Sequence, residues 1–401
     1  MKSIRIVFLS VLLLFLANLV WGQKSQKPRL PASAIKTSAK ISMKDDYKMY
    51  DSAATILEEG VEYYPDDAEM HYLLGEAYFY KKNYAGMGEQ FTLAESLKSD
   101  AKWIEEINKL RNETWKQVFS QAATEYNEKN YDSSLVKFIT CTKIDRTNYR
   151  AFLYAGLIYS NKQELDQARS YLQAGLKLSP DNPEMLRGYA DFLNTTGDQQ
   201  GALEYYKKAL DKDPKNVEVL INLVNIYSNA RDYDQAIDYS NKLIEYDSTF
   251  KNGYFNIGDI YLHQKYASTV RALDSLKDSS GTYLKDEKSS ARIGDLTKLQ
   301  STYLAQAQEA FEKVVALDST DIEAQVYLAQ SYGEQNDFDK ALTILDAIVV
   351  EDTTNCIAWQ DIAVYCTKKS MTLKGTEATK IGEKAKVAWQ KAQDCLNSAN
   401  K

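Results

Sequence analysis

The chain has 401 residues, 44% hydrophobic and 26% charged, and its formal net charge is −7. A mildly acidic balance argues against a general nucleic-acid binder. Its two histidines, His71 and His263, lie far apart, and the sequence holds no His/Cys set at metal-ligand spacing, no glycine-rich phosphate loop and no nucleophile elbow. No catalytic residue, metal or cofactor is assigned, and the sequence is read as non-enzymatic.

In chain order, Lys2 and Arg5 precede an apolar run over residues 6–16, and ANLVWG follows, with Val20 and Gly22 as the small-pocket residues. This is the order of a secretory signal peptide, so residues 1–22 are predicted to be one, cleaved after Gly22. The alternative is an uncleaved anchor, for which the run is short against the roughly 20 residues of a membrane span. The first cysteine is Cys141, which disfavours lipid attachment near the start. Cleavage would take the formal charge from −7 to −9, since Lys2 and Arg5 are lost. It would leave no transmembrane span. Residues 23–44 carry Lys24, Lys27, Arg29, Lys36, Lys40 and Lys44, no acid, and Pro28 and Pro31. They are predicted to form a flexible basic linker.

Residues 45–399 carry a helical pattern that repeats. Ala168, Ala202 and Ala236 are 34 apart; Leu172, Tyr206 and Ser240 follow them at four residues, and Gly175, Ala209 and Leu243 at three more. Pro180 and Pro214 stand where a helix should stop. The segments AFLYAGLIYSNKQELDQARSYLQAGLKLSPDN and LRGYADFLNTTGDQQGALEYYKKALDKDPKN resemble tetratricopeptide repeats. The resemblance implies an all-α solenoid, a right-handed superhelix of helix pairs in which each pair buries its apolar stripe against the next. The large residue of each second helix is expected at Leu57, Phe91, Phe138, Leu172, Tyr206, Ser240, Phe311, Leu345 and Trp389, giving nine pairs. Most of the 29 tyrosines are then packing residues, including Tyr78, Tyr159, Tyr227, Tyr261 and Tyr332 near the ends of first helices.

Three insertions interrupt the period. Residues 101–115 are read as a lengthened helix, and Gly375 marks a short insertion in the last repeat. The largest, residues 267–302, has two amphipathic flanks around a polar tip. It is read as a helical hairpin, with a disordered loop as the alternative.

The resemblance places partner binding in the groove lined by first helices. In repeats five to seven that groove would present Arg187, Asp191 and Asn194, then Asn222, Asn225 and Asn229, then Asn256, Asp259 and His263. Asparagine both donates and accepts, which suits peptide backbone. A carboxylate-gripping subfamily is matched in part by Arg187 and Asn222. Asp191 departs from it, as do Asn252 and Asn256, which stand where basic residues are needed. Of the four cysteines, Cys141 reads as a packed thiol. Cys356 and Cys366 are about 15 Å apart on one helix, too far to bridge. Cys356 and Cys395 fall at the same end of the last pair, so one disulfide would join those two; four free thiols is the other reading.

The function expected is an exported scaffold in the periplasm or cell envelope that binds a protein or peptide in its groove, with peripheral envelope association. The alternatives are an assembly subunit docking through residues 267–302 and a glycan or peptidoglycan binder using exposed tyrosines.

Overall fold

Helices account for the chain because small and large apolar residues alternate at three- and four-residue spacing and Asn or Asp stands ready to cap. In a computed structural model, residues 30–97 and 100–399 are described. The expected signal peptide, residues 1–22, and the first part of the expected linker, residues 23–29, lie outside them. Contacts divide the chain into two units, Met1–Asp198 and Gln199–Lys401.

The N-terminal unit holds α1 Ala32–Ser42, α2 Tyr50–Tyr63, α3 Ala68–Tyr80, α4 Tyr84–Ser96, α5 Ala101–Asn127, α6 Tyr131–Ile144, α7 Tyr149–Asn161, α8 Leu165–Leu178 and α9 Pro183–Thr195. The C-terminal unit holds α10 Gln199–Lys212, α11 Val217–Asn229, α12 Tyr233–Tyr246 and α13 Lys251–Asp259. A π-helical segment, Ile260–Tyr266, leads into α14 Ala267–Asp274. Then come α15 Glu287–Leu317, α16 Ile322–Glu334, α17 Phe338–Glu351, α18 Cys356–Thr372 and α19 Gly375–Ala399. With residues 251–274 counted as one interrupted helix, these are nine pairs in chain order.

Each pair is built by the same local chemistry. Asp67, Asn182, Asn216, Asp321 and Asn355 accept the backbone N–H three residues on and so start first helices. The turn to the second helix carries one residue in the left-handed region: Lys82, Lys129, Gln163, Gly197, Arg231 and Asn336. Close crossing needs a small residue on the first helix. A Cβ on Gly75 would sit 2.4 Å from the Phe91 ring, and one on Gly156 2.5 Å from Leu172. Six of the second helices end just before Pro180 or Pro214 or at an Asp-x-Thr turn. In the latter, Asp145, Asp247, Asp318 and Asp352 accept both the N–H and the hydroxyl of the Thr two residues on.

Two expectations need correcting. The flexible basic linker ends earlier than residue 44, because residues 32–42 are α1, the first helix of the first pair. Ile35 and Ala39, one turn apart, are buried on the cluster of Leu57, Met70 and Leu74. Lys36 reaches Asp67 at 2.9 Å and Glu69 at 2.7 Å, so the acids that balance this segment stand on another helix. Trp389 is 44% exposed, and the small residues Ala385, Ala388 and Ala392 face the core in its place. Residues 260–266 widen into a π turn before the large insertion begins.

The insertion itself comprises α14, a turn and the first half of α15. Lys277 and Tyr283 form an isolated antiparallel bridge, and Asp278 accepts from the backbone of Ser280 and Thr282. Tyr283, Leu284 and Leu299 are exposed. At the far end, a disulfide joins Cys356 and Cys395, whose Cα atoms are 5.5 Å apart. Cys141 and Cys366 are buried and free, and burial pushes the Cys141 thiol up to about 12.

Candidate partner-binding face

The first helices of the C-terminal unit present polar side chains in columns. Asn222, Asn256, Tyr327 and Asp361 share one repeat position; Asn225, Asp259 and Gln330 share the next; Asn229, His263, Glu334 and Lys368 share the third. The step on either side of the large insertion is 34 residues, and the step across it is 71.

Polar side chains of these columns are held in local hydrogen-bonded groups. His263 Nδ1 lies 2.8 Å from Asp259 Oδ1, and its ring meets the edge of Tyr327 at 4.6 Å. The Tyr327 hydroxyl donates to Glu323 at 2.9 Å; burial and that carboxylate push its pKa up to about 12. Tyr266, the last residue of the π segment, donates to Glu334 Oε2 at 2.7 Å, and Lys368 donates to Glu334 Oε1 at 3.2 Å. Gln330 Nε2 donates to Asp361 Oδ2 at 2.8 Å. Burial pushes the Asp361 carboxyl up to about 6, Glu334 adds to the shift, and the Gln330 hydrogen bond opposes it. Phe255, Phe311 and Tyr327 pack beneath this row. Such a face offers both donors and acceptors on a rigid base, suited to hydrogen-bonding an extended or helical polypeptide.

The nine expected groove residues, His263 of the π segment included, do not fall in one unit. Arg187, Asp191 and Asn194 are on α9 of the N-terminal unit; Asn222, Asn225 and Asn229 on α11 and Asn256 and Asp259 on α13 belong to the C-terminal unit. Arg187 lies near the Tyr126 hydroxyl and lowers its pKa against the larger effect of burial. Asn194, Asn225 and Asn229 are exposed, and Asp191 and Asn256 are half-buried. Asn222 turns inward: its Nδ2 donates to the hydroxyl of the buried Tyr206 at 3.1 Å. Tyr327, Gln330, Glu334, Asp361 and Lys368 were not foreseen. The signal for them was the same three columns carried past the insertion.

A family model described as Tetratricopeptide repeat protein 21 N-terminal ARM repeat matches residues 46–266, more than half of the chain. A second, described as Tetratricopeptide repeat, matches residues 299–363. The chain belongs to the tetratricopeptide repeat family. The face described above is thus the first-helix face of a tetratricopeptide array. No curated protein matches the chain. Among solved structures, a tetratricopeptide repeat protein from Parabacteroides merdae is similar at 13% identity, with 71% of this chain and 93% of that one covered and a TM-score of 0.38. PilF of Pseudomonas aeruginosa is similar at 17% identity, with 64% and 99% covered and a TM-score of 0.37. MamA is similar at 20% identity, with 53% and 96% covered and a TM-score of 0.36.

Proposed function

We propose that this tetratricopeptide protein is an exported, non-enzymatic scaffold that captures a partner polypeptide on the first-helix face of its C-terminal unit. The observation that carries the reading is the set of hydrogen-bonded polar groups at shared repeat positions, Asp259 with His263, Glu334 with Tyr266 and Lys368, and Gln330 with Asp361. Polar groups held half-buried on an aromatic base are already desolvated in part and fixed in position, so a partner binding them loses little freedom on their account. The charged order of residues 1–22 and the Cys356–Cys395 bond support export, because disulfides persist in oxidising compartments.

A photo-crosslinking residue at Asn225, compared with one at the 65% exposed Val136 on α6, tests the face in the native cell envelope. A discrete adduct from position 225 alone is expected. Equal adducts from both positions, or none from 225, would sink the reading. Amino-terminal sequencing of the fractionated protein is expected to begin after Gly22; an intact Met1 in a cytoplasmic fraction would remove export.

A second reading, an assembly subunit docking through residues 267–302, is favoured by the exposed Tyr283, Leu284 and Leu299. It expects a crosslinker at Tyr283 to give the adduct in place of Asn225.

A further inference from the structure

A cavity of about 670 Å³ opens in the N-terminal unit, whereas the face just described belongs to the C-terminal unit. Its walls are Thr92 and Glu95 of α4, the stretch Asn108 to Lys116 of α5, and the α6–α7 corner at Asp145 to Asn148. The first insertion supplies much of its wall: α5 runs for 27 residues where α7, α9 and α11 run for 13, and its added length carries Asn108, Arg111 and Asn112.

The chemistry of the walls is one-sided. Both Glu95 oxygens are taken by Arg111, at 2.7 and 2.9 Å. Asp145 Oδ1 is taken by the backbone and hydroxyl of Thr147. Glu95 is thus fully paired and Asp145 keeps one open oxygen, whereas Arg146 and Lys116 make no ion pair among the described residues and are exposed. Two further donors lack acceptors: Arg111 Nε and Trp115 Nε1 are buried with no hydrogen-bond partner. An unmet buried donor carries a desolvation cost that an acceptor would remove. The amides of Asn108, Asn112 and Asn148 complete a wall of donors in a chain whose net charge is negative.

We propose that this cavity binds a small ligand carrying carboxylates, its oxygens held by Arg146 and Lys116 and by the asparagine amides, with small rearrangements bringing the Trp115 indole N–H into the same network. The volume is that of a site for one small molecule or a few residues of an acidic peptide.

The test uses the full mature chain with citrate, a hexaglutamate peptide and inorganic phosphate as probes. Binding is read by titration calorimetry and by the Trp115 indole N–H resonance, assigned through its loss in Trp115→Phe. Saturable binding of citrate or hexaglutamate with a shift of that resonance is expected, and which of the two binds tells a small molecule from a peptide segment. Arg146→Glu and Lys116→Glu should each weaken binding by about tenfold or more. Both side chains are exposed, so helical circular dichroism should be unchanged; Arg146→Ala, with a smaller loss, serves if Arg146→Glu misfolds. Asn225→Ala on the partner-binding face should bind as wild type. No saturable carboxylate binding up to millimolar concentration, binding of phosphate alone, or binding untouched by the Arg146 and Lys116 variants overturns the proposal. None of these results bears on the first-helix face.

Discussion

Tyr206, expected as a packing residue, also anchors a neighbouring asparagine. It is 1% exposed, and its hydroxyl accepts from Asn222, a residue whose type and position suggested partner recognition. Asn222→Ala should therefore cost about 1–2 kcal/mol of stability, the scale of a buried hydrogen bond, whereas Asn225→Ala should stay within about 0.5 kcal/mol. Urea denaturation of the two variants decides it; equal losses would remove the distinction. Asp361 makes a second prediction. Its carboxyl titrates at about 6 against an ordinary 3.8, so the native state keeps a proton that the unfolded chain has released. Between about pH 4 and 6 the native state binds more protons, and this contribution makes stability fall as pH rises across that window. Asp361→Asn keeps an acceptor for Gln330 and removes the buried charge. It should flatten that slope and stabilise the protein at neutral pH by about 1–3 kcal/mol. A slope unchanged by the substitution would place the titration elsewhere.

Among elements, closeness of approach decides which glycines matter. A Cβ on Gly88 of α4 would lie 2.2 Å from the Lys143 carbonyl oxygen and 2.6 Å from Ile144 Cα. Backbone cannot swing aside, so α4 and α6 must part, and Gly88→Ala should cost about 2–3 kcal/mol. Gly294 in α15 has nothing within 4 Å, and Gly294→Ala should gain about 0.5–1 kcal/mol through helix propensity. Thermal melts that move in the same direction for both would contradict this packing. The repeat phase was legible because such small residues recur opposite large ones, as Gly75 does opposite Phe91 and Gly156 opposite Leu172. α1 was not legible, because the acids that neutralise Lys36 are Asp67 and Glu69, far along the chain. The corners were hidden too: Lys, Gln, Arg and Asn hold the left-handed position where glycine would have announced a turn. The candidate face was legible only up to the insertion. Gln330, Glu334 and Lys368 continue the columns of Asn225 and Asn229, but a 71-residue step and a π turn break the count.

At the scale of the whole molecule, a repeat array draws its stability from interfaces between neighbours, so a pair with a thin interface opens first. The α18–α19 pair opens for a related reason: its two helices pack closely on each other, but among the described residues α19 has α18 as its one substantial neighbour. α19 turns small alanines to the core and leaves Val387, Trp389 and Leu396 exposed. The Cys356–Cys395 bond holds the two helices together across a sequence separation of 39. Closing a loop of that length removes chain entropy worth about 4 kcal/mol from the unfolded state, less whatever strain the folded state bears. Reduction, or Cys395→Ser, should therefore lower the opening free energy of α18 and α19 by about 2–4 kcal/mol. Hydrogen exchange should quicken there and stay unchanged in α11 and α12, which are several pairs removed. The other two cysteines, Cys141 and Cys366, are buried, so unfolding under non-reducing conditions should expose two alkylatable thiols. Four such thiols in oxidised protein would remove the bond. Two thiols with exchange unaltered by reduction would show that the alanine interface, and not the bond, holds α19 in place.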